Sequence, residues 1–289
     1  VSSVIAGEQP ADFLFGKTQP ATPTITASLT PTPAPPQRGY GLFGLGRDAI
    51  PNTLIHEDEA VKTAVNRITP QLHTLLAIKL LRLTANRGSS RLAVQATLET
   101  TAPQEKILVQ QKTRCSQTQD AAFKPRAYTT DLFSGDGSTP LPIESRIRYR
   151  LENLGDDPLY FVLLGLDPSG NAIALFAKDS LIPPQDTVIV PEQISDWMIH
   201  GQTGLAETHF MISRTPFTHA YEALKVATKG DTRQILTIQN PLDVVQAALQ
   251  DLHEASAAVL PKLEIPTDTY ALDVNAWTTF SFVYQVVES

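Results

Sequence analysis

Between Ile143 and Ser213 the chain is a succession of short apolar segments, each interrupted by turn residues. The clearest is Ile143–Asn153, where Ile147, Tyr149 and Leu151 alternate with Arg146, Arg148 and Arg150. Alternation with a period of two places these sets on opposite faces of an extended strand. Leu159–Asp167, Ala172–Ala177, Thr187–Val190, Trp197–His200 and Leu205–Ser213 continue the pattern. Gly155-Asp156-Asp157-Pro158 and Asp167-Pro168-Ser169-Gly170-Asn171 supply turn chemistry between them. Short strands at this spacing predict an immunoglobulin-like antiparallel β-sandwich.

The flanking segments differ. Ala60, Val61, Ala64, Val65 and Ile68 recur at helical spacing after the acidic run Glu57-Asp58-Glu59, which suits a helix N-terminus. Thr69-Pro70 predicts a break or a second helical start there. Ile78–Thr84, Arg91–Thr100 and Lys106–Thr113 are expected as strands. After the sandwich, Thr215-Pro216 and Asn240-Pro241 open two helices, the second with Val244, Val245, Ala248, Leu249 and Leu252 on one stripe. Thr269–Val287 alternates again and is expected as a closing hairpin or an edge strand. The expected class is α+β and β-dominated: a sandwich, a helix–strand unit and C-terminal helices.

Prolines are unevenly placed. Of 22 in 289 residues, six lie in Thr18–Gln37 beside six threonines, a composition that cannot build a core and predicts an extended spacer. That run is uncharged but too rich in proline to satisfy its backbone in lipid, so no membrane span is expected. The N-terminus lacks a signal-peptide pattern and an initiator methionine, as in a processed product or an excised piece of a longer chain. The expected organisation is 1–16, the tail of a preceding domain; 17–55, a Pro/Thr- and Gly-rich linker; 56–130, a helix–strand unit; 131–230, the sandwich; 231–289, a helix and closing strands.

Composition narrows the function. A formal net charge of −7 argues against a general nucleic-acid binder. The single cysteine, Cys115, excludes an internal disulfide framework and suits a reducing, cytoplasmic setting. Its Thr-Arg-Cys-Ser-Gln context carries no local signature of a cysteine nucleophile. His200, Glu207 and His209 are the best metal candidates, yet they lack tight ligand spacing, and no cofactor is expected. Asp167, Ser169 and Asn171 echo a calcium loop, but a hairpin turn explains them. Gly39-Tyr-Gly41-Leu-Phe-Gly44 fits a dinucleotide pattern but follows a proline tract instead of a strand. Arg146, Arg148 and Arg150 form a basic row, either a solvated sheet face or a docking stripe for an acidic partner.

Ile143–Asn153 (IESRIRYRLEN), Pro158–Gly170 (PLYFVLLGLDPSG) and Gly204–Ala220 (GLAETHFMISRTPFTHA) together resemble a bacterial domain of unknown function. That domain commonly follows the caspase-like peptidase domain of cyanobacterial metacaspases and orthocaspases. Glu59–Glu99 resembles the spacer of the same proteins, and GEQPADFLFG the end of their caspase-like domain. The resemblance implies a parent peptidase that cleaves after basic residues with a His/Cys dyad. The motifs of that dyad are absent from this chain, so no catalytic residue is carried over. It implies an accessory region in contact with the parent's catalytic domain and with protein partners or substrates. Lys17 and Arg38, which bracket the proline tract, become processing candidates. The alternative is a stand-alone sandwich module that binds protein or carbohydrate without any peptidase link.

Overall fold

The structure, a computed structural model, describes residues 11–17, 39–47, 49–50, 52–55, 59–117, 139–175, 180–191, 197–228, 235–257 and 272–288. The chain divides into two compact units, Val1–Leu75 and Leu76–Ser289.

In the first unit, β1 (Leu14–Lys17) pairs antiparallel with β2 (Tyr40–Phe43), and α1 (Val61–Leu83) begins. Lys17 and Tyr40 are Cα partners, so these two residues, on either side of the proline tract, stand at ladder spacing, about 5 Å apart. The expected spacer therefore does not separate its two flanks, because the flanking apolar residues pair instead: Phe15 stacks on Tyr40 at 5.3 Å between ring centroids. Gly39 and Gly41 permit close packing, since an added Cβ would lie 1.9 Å from the Ile55 carbonyl oxygen and 2.3 Å from Leu54 Cδ2 respectively. Gly39 and Gly41 thus let the Leu54–Ile55 segment lie against the chain, a packing reason for two of the three glycines in the dinucleotide-like spacing. Arg67 joins the pieces, donating to the Thr53 carbonyl at 2.8 Å and the Tyr40 carbonyl at 3.0 Å while it pairs with Glu59.

The second unit contains the end of α1, followed by β3 (Val94–Ala102), β4 (Lys106–Lys112), the one-turn α2 (Arg114–Gln117), β5 (Thr139–Pro142) and β6 (Arg146–Asn153). Next come β7 (Leu159–Leu166), β8 (Ala172–Leu175), β9 (Leu181–Ile182), β10 (Thr187–Val190), β11 (Trp197–Met198) and β12 (Gly204–Ser213). The unit closes with α3 (Thr218–Thr228), β13 (Ile235–Thr237), α4 (Pro241–Ala257) and β14 (Trp277–Val287). One sheet runs β10-β6-β3-β4, with β11 also on β6; the other runs β13-β8-β7-β12-β14-β5, with β9 also on β7. All pairings are antiparallel except β14 with β5. The result is a strand-rich α+β fold with no closed barrel.

The two sheets share one core. Val94, Leu98, Ile147, Tyr149 and Leu151 of the first face Leu163, Phe210, Phe280, Phe282 and Tyr284 of the second. Tyr149 is fully buried at the centre, edge-on to Phe210 at 4.9 Å and 5.3 Å from Phe282. Burying each such side chain contributes roughly 1.5–3 kcal/mol. The back of the second sheet carries a second core: Val162, Leu164, Met211 and Trp277 pack with Ala77, Ile78 and Leu81 of α1 and with α3 and α4. Three layers follow within this unit, sheet on sheet on helices.

Several expectations change. Ile78–Thr84 is not a strand but the end of α1, because Ala77, Ile78 and Leu81 share one helical face against the sheet. The helix also runs through Pro70 without the expected break. It starts at Val61; Glu57 and Asp58 lie outside the described residues. β14 is neither a hairpin arm nor an edge, since β12 and β5 flank it. Four strands were not expected at all: β2, β5, β9 and β13. β5 is an edge strand that carries Pro140 and Pro142, residues without the N–H another strand would bind. β3 and β4, expected in a separate unit, extend the sheet of β6, while β14 completes the sheet of β12.

Candidate functional site

Alternation along β12 sorts its side chains between the two cores. Ala206, Phe210 and Ile212 enter the inter-sheet core, and Thr208 bonds there with the Tyr149 hydroxyl at 2.8 Å. Glu207, His209 and Met211 therefore point to the helix layer. Strand pairing sets Ser281 of β14 directly opposite His209. The Ser281 hydroxyl lies 2.8 Å from His209 Nδ1, and His209 Nε2 lies 2.8 Å from Glu207 Oε1. That second contact is close, but Nε2 has no partner in good hydrogen-bond alignment. From the end of α1, Arg82 grips the same carboxylate through Nε, at 2.9 Å to Oε1 and 3.1 Å to Oε2, and through Nη2 to Oε2.

The electrostatics follow from burial and partners. Burial raises the pKa of Glu207, but the grip of the Arg82 guanidinium, with the His209 ring beside it, outweighs burial and brings the value down to about 2. An ionised carboxylate favours an N–H on the nitrogen that faces it, and the tautomer with its proton on Nε2 leaves Nδ1 to accept from Ser281 Oγ. His209 is fully buried, whereas Ser281 is only half-buried. Toward the end of β14, Val283 and Gln285 are also half-buried, and Leu205 across from Gln285 is half-exposed. Ser281 thus stands at the margin of the helix layer, with its base behind it.

The other sequence candidates fall elsewhere. His200 is exposed beyond β11, and the described residues include no group of three or more His, Cys, Asp or Glu able to hold a metal. The pairing of Glu207 with His209 serves Arg82 and Ser281 instead. Cys115 lies half-buried in α2. Asp167 to Asn171 form the β7–β8 hairpin turn: Asn171 N donates to Asp167 Oδ1 at 2.8 Å, and Gly170 adopts a φ of 77°.

Arg148 and Arg150 lie on the outer face of the first sheet, already paired. Arg148 donates to Glu99 at 2.7 Å and to Glu105 at 2.6 Å; Arg150 donates to Glu99 at 2.8 and 3.2 Å. Burial pushes the Glu99 pKa up, and the two guanidiniums pull it further down, below the ordinary carboxylate value. Arg146 is half-buried beside Met198. The basic row is therefore largely an intrasheet charge network. Lys17 ends β1, with its ammonium 5.5 Å from the centroid of the Tyr40 ring; Arg38 lies outside the described residues.

Sequence reasoning missed the Ser281–His209–Glu207–Arg82 chain. Spacing of two already puts Glu207 and His209 on one strand face from the sequence, but Ser281 joins them through a strand register that only the fold supplies. No family model, curated protein or solved structure matches this chain. Among the described residues no helix is long and apolar enough to cross a membrane.

Proposed function

We propose that this chain is the accessory region of a caspase-like cysteine endopeptidase, acting in the cytoplasm through protein interaction, regulation or substrate recruitment. One observation carries the reading. Two of the segments that resemble the domain following such peptidases, Ile143–Asn153 and Gly204–Ala220, supply β6 and β12, each an interior strand of its sheet. The resemblance thus falls on framework strands and not on loops alone.

Strand order supports an immunoglobulin-like sandwich. β14-β12-β7-β8 follows the G-F-C-C′ order of a variable-type domain, and β3-β6-β10 follows A-B-E. In this reading the F–G connection contains both α3 and α4, which cover the outer face of the G-F-C sheet. The opposite outer face, with Arg146, Arg148, Arg150 and their carboxylate partners, remains the surface for a protein partner, including the parent's catalytic domain. Guanidinium edges held by Glu99 and Glu105 are pre-oriented donors for acidic groups.

The β1–β2 ladder also ranks the processing candidates. A peptidase binds its substrate as an extended segment, and Lys17 already pairs with Tyr40, so Arg38 is the better site. Mass spectrometry of the parent, active and with its catalytic cysteine replaced, checks this: a cut after Arg38 only in the active form is expected. The coding sequence upstream of Val1 tests the main reading. A caspase-like His/Cys domain in the same frame is expected; an unrelated domain there contradicts it.

A further inference from the structure

The geometry points to Ser281 as a nucleophile activated by His209, a site for acyl esters that goes beyond the accessory reading and does not rest on it. A serine hydroxyl needs a base within hydrogen-bond reach and an oriented imidazole behind it. The base is in reach, with Nδ1 of His209 2.8 Å from Ser281 Oγ, and the Glu207 carboxylate stands 2.8 Å from Nε2, in contact with the ring though out of hydrogen-bond alignment. The chain order Ser–His–Glu matches the connectivity of a serine triad, with the two ring nitrogens exchanged.

Access and rigidity suit the role. His209 is fully enclosed and Ser281 is only half-buried, so an ester, and after it a water molecule, approaches the base from the Ser281 side. Ser281 is fixed at its backbone, where Gln111 Nε2 donates to its carbonyl oxygen at 2.6 Å. Arg82 stays half-exposed beside Glu207, and its Nη1 is not spent on that carboxylate. Glu207 acts as a positioning residue: it holds the Nε2–H tautomer and favours the imidazolium that forms on attack.

The step balances without a cofactor. Ser281 Oγ bonds to the ester carbonyl carbon as its proton passes to His209 Nδ1. The C–O bond to the alcohol then breaks, and the alcohol leaves with that proton. Water attacks the acyl-serine, gives its proton to His209 and releases the acid as Ser281 regains its hydrogen. No oxidant or reductant is needed.

A fluorophosphonate probe on the full chain tests the site, with mass spectrometry to locate the adduct and circular dichroism to verify the fold. One adduct at Ser281 is expected, absent from Ser281→Ala. In His209→Gln, labelling slows by about a hundredfold, the lower range for general-base assistance. Glu207→Gln slows it by about tenfold, while Glu207→Asp, which keeps a carboxylate to orient the ring, recovers most of the rate. Steady hydrolysis of p-nitrophenyl acetate, lost in Ser281→Ala, is expected alongside. A folded chain without an adduct at Ser281, or one whose labelling is the same in Ser281→Ala, overturns the proposal and leaves a buried polar network that fastens α1 to the sheet. Should His209→Gln fail to fold, the Glu207 variants decide: labelling of Glu207→Gln as fast as that of the natural chain overturns the role given to His209.

Discussion

Tyr149 and Glu207 show how much one side chain can carry in this fold, on opposite faces of the second sheet. The phenol of Tyr149 lies in the inter-sheet core and bonds Thr208 across the two sheets. Burial holds its pKa well above the ordinary tyrosine value, so the group stays neutral and can donate. Tyr149→Phe keeps the ring contacts but strands the Thr208 hydroxyl, which costs about 1–2 kcal/mol. Tyr149→Ala also opens a cavity and costs about 3–5 kcal/mol. Urea titrations should show lower midpoints in that order, with little change in slope for the phenylalanine variant. Glu207 makes stability depend on acid. Its folded pKa of about 2 lies below its ordinary 4.5, so its contribution is complete above that ordinary value and drains away as pH falls toward the folded one. Glu99, also depressed, acts in the same sense. Unfolding curves across this window should fall less steeply with acidification for Glu207→Gln than for the natural chain.

Elements in this chain are held by partners distant in sequence. α3 is the clearest case: Asp251 of α4 accepts from Thr218 Oγ1 at 3.1 Å, His219 N at 3.0 Å and Ala220 N at 2.9 Å. A carboxylate on the neighbouring helix thus satisfies the first N–H groups of α3, which the helix cannot satisfy itself. Asp251→Ala should destabilise by about 1–2 kcal/mol, the usual scale for a lost cap, and Asp251→Asn by less. Hydrogen exchange at Thr218–Ala220 should accelerate in the alanine variant. The same remoteness explains what the sequence could and could not reveal. Strong alternation made β6 and β12 legible, and Asn240-Pro241 marked α4. Ile78–Thr84 was misread because its helical spacing becomes clear only beside Ala77 and Leu81. β5, with two prolines in four residues, looks like a loop, and it is a strand only because β14 lies alongside. Ser281 was invisible as a site because the register of β14 on β12 decides its neighbour.

At the scale of the molecule, residues Leu76–Ser289 form one unit, not the successive domains that composition suggested. β3 and β14, at the two ends of that stretch, sit in different sheets of the same core. On either side of the proline tract, Lys17 and Tyr40 are strand partners. The proposed accessory role places partner recognition on the outer sheet face that carries Arg148 and Arg150. The most direct measurement removes residues 76–289 from the full-length product of the gene and compares two substrates. The account predicts that kcat/KM for a short basic-residue peptide stays within about twofold, while cleavage of folded protein substrates falls by about tenfold or more. Equal cleavage of folded proteins with and without these residues contradicts it.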